Sequence, residues 1–588
     1  MSPTASDWEP SGEAVTLANA GLDQMSKNER IKVESQGLFY VSAKGEVHTF
    51  LDEVESMVRG EAETIGNEAK ELSKFFGIYK QQTRGERGRK TQDYSFMVRL
   101  KAPAGGCFDA EQWAALDEAS DLFADSTLRI TSRQGIQYHG VKGDRLGKLV
   151  RHLNRGYRGQ GTLGACGDVN RNVMGSPIEE LDPQHETGGR GLAEAIAAEL
   201  APRSSAYFQI FRSDDEGRNR GTLQPDEPIY GKHYLPRKFK IGLAHPGDNS
   251  VDVLTQDVGF VPVAANGKND GSVWDLYSGG GLGLTHNNPK TAALLGLHLG
   301  RVRRHQVVDT CRALATIQKE NGERKDRRQA RWKYTIRRLG VDAVKAELKT
   351  RFGIEIEDAE PGPLAPMQLH LGWHPQQGGR HWYGVSVENG RIGPVLRKAV
   401  RRAVEELGLR VRLTPQQDLL LCDVTDREAL ERILTEGRVK RPEAFSQVRR
   451  NAMACPAKPT CGLAMTEAER ILPSWIDAID AAGLGDVDVV IRMTGCPNNC
   501  ARPPSAEIGI YGYGKNDHVI LVGGSRQGSR LAHVLYPRLP EEKMVEALLG
   551  ILGAAKRHNP GGLPVGEFLH RSDPDTLRGW VGLDETGA

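Results

Sequence analysis

Four of the chain's eight cysteines fall into two tight pairs. ACPAKPTC carries Cys455 and Cys461 with five residues between them, and TGCPNNC carries Cys496 and Cys500 with three. Four thiolates from two loops can hold a structural zinc ion or an iron–sulfur cluster. Paired zinc ligands are usually separated by about two to four residues, so the wider first gap favours iron–sulfur and leaves zinc open. Pro456 and Pro497 each follow the first cysteine of a pair, where proline stiffens the loop and removes an amide donor beside the sulfur. Cys107, Cys311 and Cys422 read as small buried hydrophobes.

A second set of residues could bind anions. LRITSRQGIQYHG places Arg129, Arg133, Gln137 and His139 within a few positions of one another. Arg99 stands in FMVRLKAP, Arg171 in GDVNRNV, and Lys238 and Lys240 in YLPRKFK. A small, strongly hydrated anion needs several converging cations to replace its water. Taken alone, each segment also reads as a strand with its polar side in solvent.

These residues need elements to position them. YSFMVRLKAP alternates like a half-buried strand, DAEQWAALDEASDLF has helical spacing, and LRITSRQGIQYHGV is two short strands around a turn. The last of these has an echo 283 residues later: 128–141 lies over VRLTPQQDLLLCDV at 411–424, matching Arg129 to Arg412, Thr131 to Thr414 and Gln134 to Gln417. A strand and a helix precede each copy, so the pattern predicts a duplicated α+β unit whose halves pair with pseudo-twofold symmetry. The expected division is an N-terminal arm and wrapping segment over 1–75, mobile to about residue 25. One lobe is built from 76–150 plus 359–431, an α/β lobe spans 151–358, and a second α/β lobe with the paired cysteines spans 432–588. Between the copies, the run from 305 to 338 is expected to form two helices broken at Asn321-Gly322.

ACPAKPTCGLAMTEAER followed by RMTGCPNNCARP closely resembles the signature of the sirohaem-containing sulfite and nitrite reductases, and the likeness runs from about Asn28 to about Gly566. It implies a trilobal α+β fold of duplicated halves. It also implies that Cys455, Cys461, Cys496 and Cys500 hold a 4Fe-4S cluster, with Cys500 the axial ligand of the sirohaem iron. Arg129, Arg133, Gln137, His139, Arg237, Gly279, Gly280, Gly281, Gln417 and Asn498 would then line the sirohaem. Arg99, Arg171, Lys238 and Lys240 would contact the substrate anion.

The implied reaction is the six-electron reduction of sulfite to sulfide in sulfur assimilation. Assimilatory nitrite reductases usually carry asparagine where Lys240 stands, and two arginines with two lysines suit a dianion, so sulfite is favoured over the nitrite-to-ammonia alternative. A zinc-stabilised, nucleic-acid-binding protein is the reading from outside this class. Some ferredoxin-type members join a tyrosine to a cysteine beside the sirohaem; Tyr79 and Cys166 are the matching positions.

SGGGLGLTH imitates a dinucleotide-binding loop, but the following strand region reads RVRRHQVV and lacks the acidic residue such a site needs. No flavin or NADPH domain is visible, so the expected partner is a separate electron donor. Ferredoxin is favoured on the ACGDVNRNV form, with a flavoprotein reductase as the alternative. From 301 to 338 there are 13 Lys/Arg against 4 Asp/Glu, a stretch that could dock an acidic partner or form a solvated helical face.

Length predicts several domains, since 588 residues exceed what one core can organise. Charged residues make up 26% and the net charge is only +2, which implies no nucleic-acid partner, and no apolar run is long enough to span a bilayer. The opening MSPTASDWEPSGEAV has neither a basic n-region nor an apolar core, which predicts a cytoplasmic protein.

Overall fold

The computed structural model describes residues 13–35, 39–41, 47–84, 90–157, 161–182, 184–203, 227–265, 268–285 and 287–583. Four larger sheets organise them. The first has the strand order Arg391–Ile392, Leu128–Ile130, Ile136–Val141, Lys90–Leu100, Ile78–Arg84. The second runs Gly372–Pro375, His381–Val385, Leu419–Val424, Arg410–Leu413.

These two sheets contain the repeated sequence, and each copy completes itself with the other. Leu128–Ile130 pairs antiparallel with Arg391–Ile392, just ahead of the second copy's helix Pro394–Leu407. Val411 exchanges both backbone hydrogen bonds with Phe108, just ahead of the first copy's helix Ala110–Phe123. The turns also match. Thr131 closes on Gly135 and Thr414 on Asp418 through backbone and hydroxyl, while Gln134 (φ 56°) and Gln417 (φ 74°) take the left-handed conformation. The helices are bolted together by Arg397, which reaches Asp117 at 2.7 Å and Asp121 at 2.8 Å. One apolar core containing Leu116, Leu128, Val400 and Leu419 runs through both halves. The duplicated α+β fold expected from the echo is therefore present.

The third and fourth sheets reveal a second duplication that the sequence reading missed. Met174–Gly175, Ile241–Leu243, Val258–Ala265, Lys268–Ser278 and Leu297–Arg303 form one sheet; Ala452–Ala454, Ile491–Thr494, Ile508–Gly512, Asp517–Val522 and His533–Pro540 form the other. In both, the first three strands are parallel and the last two antiparallel. A short signal was available, because GKND occurs at 267–270 and again at 514–517. Gly279 and Gly523 both have φ +88°, and a Cβ on Gly280 or Gly524 would sit 2.2 Å from a backbone carbonyl. Only glycine fits such an approach.

Residues 13–25, read as part of a mobile arm, are instead tied down. Arg324 N–H donates to Val15 O at 2.8 Å, Leu17 N–H to Glu320 O at 3.2 Å, and Val15 N–H to the Glu323 carboxylate at 3.0 Å. The rest of that arm, 1–12, lies outside the described residues. Helix Val307–Asn321 ends at Gly322 as expected, but the next helix, Trp332–Leu339, begins ten residues later. Among the described residues no helix is long and apolar enough to cross a membrane.

Asp418 gives the fold a pH dependence. Burial pushes its carboxyl up to about 7, although Val387 N–H donates to it at 2.7 Å. Between the ordinary carboxylate range and pH 7 the folded chain keeps a proton that the unfolded chain has lost, so this group lowers stability as pH rises. Asp418→Asn should raise stability by on the order of 2–4 kcal/mol at pH 8 and converge with the parent near pH 4. Scanning calorimetry at the two pH values checks this.

Candidate functional site

Both cysteine loops leave the carboxyl ends of neighbouring parallel strands. Cys455 follows Ala452–Ala454, and Cys496 comes two residues after Ile491–Thr494. Gly495 N–H points at the Cys455 sulfur at 3.4 Å, and the Asn498 amide at the Cys496 sulfur at 3.4 Å. The four thiols share one neighbourhood. Burial and then Cys500 and Cys496 push Cys455 well up, while burial and then Cys500 push Cys496 up to about 12. Four thiolates can coexist there only if positive metal offsets their charge.

Spacing bears on which metal. Among the described residues no three of these sulfurs lie within 4.8 Å of one another. A tetrahedral zinc ion with Zn–S bonds of about 2.3 Å would draw them to about 3.8 Å. The wider spacing counts against the zinc-stabilised reading.

The cations arrive from the first α/β unit. Arg171 precedes Met174–Gly175, Lys238 and Lys240 precede Ile241–Leu243, and Asn170 and Phe239 join the two approaches in a parallel bridge. Arg99, near the end of Lys90–Leu100, donates from Nη1 to the Cys166 sulfur at 3.2 Å and lies 5.9 Å from the Tyr79 ring centre. With its carboxamide oxygen toward Arg99, Gln137 accepts from Nε at 3.1 Å and from Nη2. Arg99, Arg171 and Arg237 all act electrostatically on Tyr79, and Lys238 feels Arg237, Arg171 and Cys500. These groups therefore border one space beside the cysteine loops.

Burial, then Arg237, pushes Lys238 well below the ordinary lysine range; burial, then Lys238, does the same to Lys240. Among the described residues neither ammonium has an ion pair. A donor set this cationic fits a polycarboxylate macrocycle and an anionic substrate.

Other residues named from the sequence are enclosed by protein. Arg129, 1% exposed, donates to Glu469 at 3.0 Å and to the carbonyls of Asn389 and Ala454 at 2.9 Å. Gln417 is buried with its amide near Ile130 O, and His139 is buried and accepts from Arg391 at 3.2 Å. Arg133 holds Gln256 and Asn172 O, leaving its Nε without a partner. Arg129, His139 and Gln417 thus brace the site from behind.

The glycine run is clamped onto the cysteine loop. Leu284 N–H donates to Pro497 O at 3.0 Å, Asn499 donates to Leu282 O at 2.9 Å, and a Cβ on Gly283 would lie 3.3 Å from Asn498 O. The duplicated lobe joins both cysteine loops, since Ser132 donates to Cys500 O at 2.7 Å and Gln81 to Thr460 O at 2.7 Å. Sequence reasoning passed over the clamp itself. Buried Lys333 donates to Gly281 O at 2.9 Å, Gly283 O at 2.8 Å and Ala292 O.

Much of the basic charge between 301 and 338 faces inward. Arg324 pairs with Glu29, Arg327 with Asp168, Arg331 with Asp257 and Arg301 with Asp275, while Arg304 and Arg337 hold backbone carbonyls. Of the exposed members, Arg303, Arg312 and Arg328 each have an acidic neighbour. Much of the charge in this stretch is thus used inside the fold, and Arg303, Arg312, Lys325 and Arg328 are its exposed basic members.

Comparison with known proteins agrees with this geometry. Residues 166–356 match the nitrite and sulphite reductase 4Fe-4S domain, and 87–156 and 374–437 match the nitrite/sulfite reductase ferredoxin-like half domain. The chain is 38% identical to the sulfite reductase (NADPH) hemoprotein beta-component of Chromohalobacter salexigens, covering 95% of this chain and 96% of that one. It is 35% identical to the sulfite reductase (ferredoxin) of Synechococcus elongatus, covering 95% and 91%. The solved structure of Mycobacterium tuberculosis NirA superimposes with a TM-score of 0.76 over 96% of this chain and 99% of that one, at 22% identity, a likeness of fold.

Lys333→Met leaves three carbonyls of the glycine loop without their donor. It should cost about 2–4 kcal/mol of stability and lower iron content, read by calorimetry and metal analysis of the purified protein.

Proposed function

Because the chain belongs to the nitrite and sulphite reductase family, we propose that it reduces sulfite to sulfide by six electrons in sulfur assimilation. Its cofactors are sirohaem and a 4Fe-4S cluster. Cys455, Cys461, Cys496 and Cys500 would hold the cluster, with Cys500 also a ligand of the sirohaem iron. Arg133, Gln137, Arg237, Asn498 and the run Gly279, Gly280, Gly281 would face the macrocycle, backed by Arg129, His139 and Gln417. When bound, these groups supply single electrons and the iron at which substrate is reduced.

The observation that carries the reading is the cationic space itself. Lys238 and Lys240 have no ion pair among the described residues; Lys238 and Arg99 both lie near Cys500, Arg171 lies near Lys238, and Lys240 lies beside Lys238. A dianion gains more than a monoanion from such a site, which supports sulfite over nitrite. Arg171 is anchored by Nε on Gly167 O at 2.9 Å, which directs its terminal nitrogens, and Arg99 is anchored by Gln137. Both guanidiniums keep their charge and orient the anion. The lysines move protons: burial makes their ammonium groups more acidic than in water, so each can protonate an oxygen that leaves as water.

Turnover of sulfite and nitrite with a reduced viologen dye tests this. The expected kcat/KM is higher for sulfite, and a higher value for nitrite would overturn the assignment. Lys240→Asn should move the ratio toward nitrite by about tenfold, and Lys238→Met should lower kcat for sulfite by about 100-fold with the absorption spectrum unchanged.

The donor we infer is a ferredoxin, a reading supported by Cys166 beside Arg99 and Tyr79 in the form that ferredoxin-dependent enzymes share. A flavoprotein reductase is the alternative, since relatives 36–38% identical are named as NADPH hemoprotein components. Faster turnover with NADPH and a flavoprotein than with reduced ferredoxin would decide for the alternative.

A further inference from the structure

A separate group of ligating side chains lies in the loop that follows Met174–Gly175 and in the turn after Ile241–Leu243. Asp182, His185 and His245 offer three ligand atoms that all lie within 4.8 Å of one another. His185 Nδ1 is 3.0 Å from Asp182 Oδ2, and His245 Nε2 is 3.6 Å from the same oxygen. The two imidazoles meet edge to face with centroids 5.6 Å apart. An ion bound at about 2.0–2.2 Å holds adjacent ligands roughly 3.0–3.6 Å apart, so the Asp182 oxygen already stands at first-shell spacing from each imidazole, and the two imidazole nitrogens lie within 4.8 Å of each other.

The surroundings orient the ligands. Gln184 N–H donates to Asp182 Oδ1 at 2.8 Å and leaves Oδ2 to the two histidines. Gly247 N–H approaches His245 Nδ1 at 3.4 Å, which turns Nε2 toward the group; that contact is long enough to yield if Nδ1 takes the imidazole proton. His245 is fully enclosed while the His185 side chain is 36% exposed, so a water can complete the shell from the solvent side. Leu181, next to Asp182, packs with Trp382, Leu420 and Cys422 of the second duplicated sheet. A bound ion would therefore fasten the first α/β sheet to a loop resting on the other lobe.

We propose that Asp182, His185 and His245 bind one zinc ion, with water as the fourth ligand, as a clasp separate from the redox cofactors. Two imidazoles and one carboxylate are a donor set suited to zinc, and the site shares no residue with the cysteine loops.

The test uses the cofactor-loaded enzyme, dialysed against a chelator and then against buffered zinc, with zinc and iron counted per chain. The wild type should take up one zinc. His185→Ala, a half-exposed position, should weaken that uptake by at least about tenfold, with iron content and sulfite turnover unchanged. Asp182→Asn should do the same and guards against misfolding of one variant. Equal zinc uptake by the wild type and both variants would overturn the proposal, as would a loss of iron rather than zinc.

Discussion

Like charges in a poorly hydrated space repel, and the rest of the structure is organised to hold them there. Arg99, Arg171, Lys238 and Lys240 cannot be neutralised by adjacent carboxylates without closing the site to an anion. Counter-charge is placed one layer back instead. Burial would raise Asp168, yet Arg327, Lys32 and Arg237 outweigh it and hold its carboxyl well below the usual range. Asp257 takes Arg331 at 3.0 Å, and Asp252 takes Arg502 at 2.6 Å together with Arg492. These buried carboxylates hold mainly the scaffold's own cations, with Arg237 also reaching Asp168 at 3.9 Å, and leave Arg99, Arg171, Lys238 and Lys240 without an ion pair among the described residues. Removing one would leave an unpaired buried charge, which is far more damaging than the pair is stabilising.

Two duplications supply the rigidity this arrangement needs. The ferredoxin-like halves complete each other's sheets through Arg391–Ile392 and Phe108, so neither half is finished alone. The two α/β units repeat one strand order, and their loops meet where the glycine run lies on Pro497 and Asn499. The duplicated lobe reaches the same loop through Ser132. Cys500 is therefore positioned by three lobes at once, as a thiol shared by two cofactors would require.

Legibility in the sequence followed chemistry more closely than architecture. Paired cysteines were readable because their residue types and spacing are rare without a ligand, whereas PRKFK taken alone reads as an exposed basic strand and gained its role through the family resemblance. The first duplication was readable because both turns share a threonine closure and a glutamine in the left-handed conformation, so Thr131/Thr414 and Gln134/Gln417 recur in the sequence. The second was missed because a sheet constrains apolar alternation rather than identity, leaving little more than GKND and the glycine pairs at 279–280 and 523–524 in common. The basic run from 301 to 338 was ambiguous for a related reason: a cation's sign is written in the chain, but its partner is not. Glu29 and Asp168 lie far from Arg324 and Arg327 in sequence and against them in space.

By itself, then, the sequence determined the donor chemistry: four thiols for a metal cluster, a surplus of cations for an anion, and local turns that repeat. Tertiary structure decided which cations face the site and which brace it. Arg99 and Arg129 are alike on the page, but Gln137 holds one beside Cys166 while Glu469 and two carbonyls enclose the other. The physical reason is that a buried charge is fixed by the groups that desolvate and pair it, and those come together only when distant segments fold.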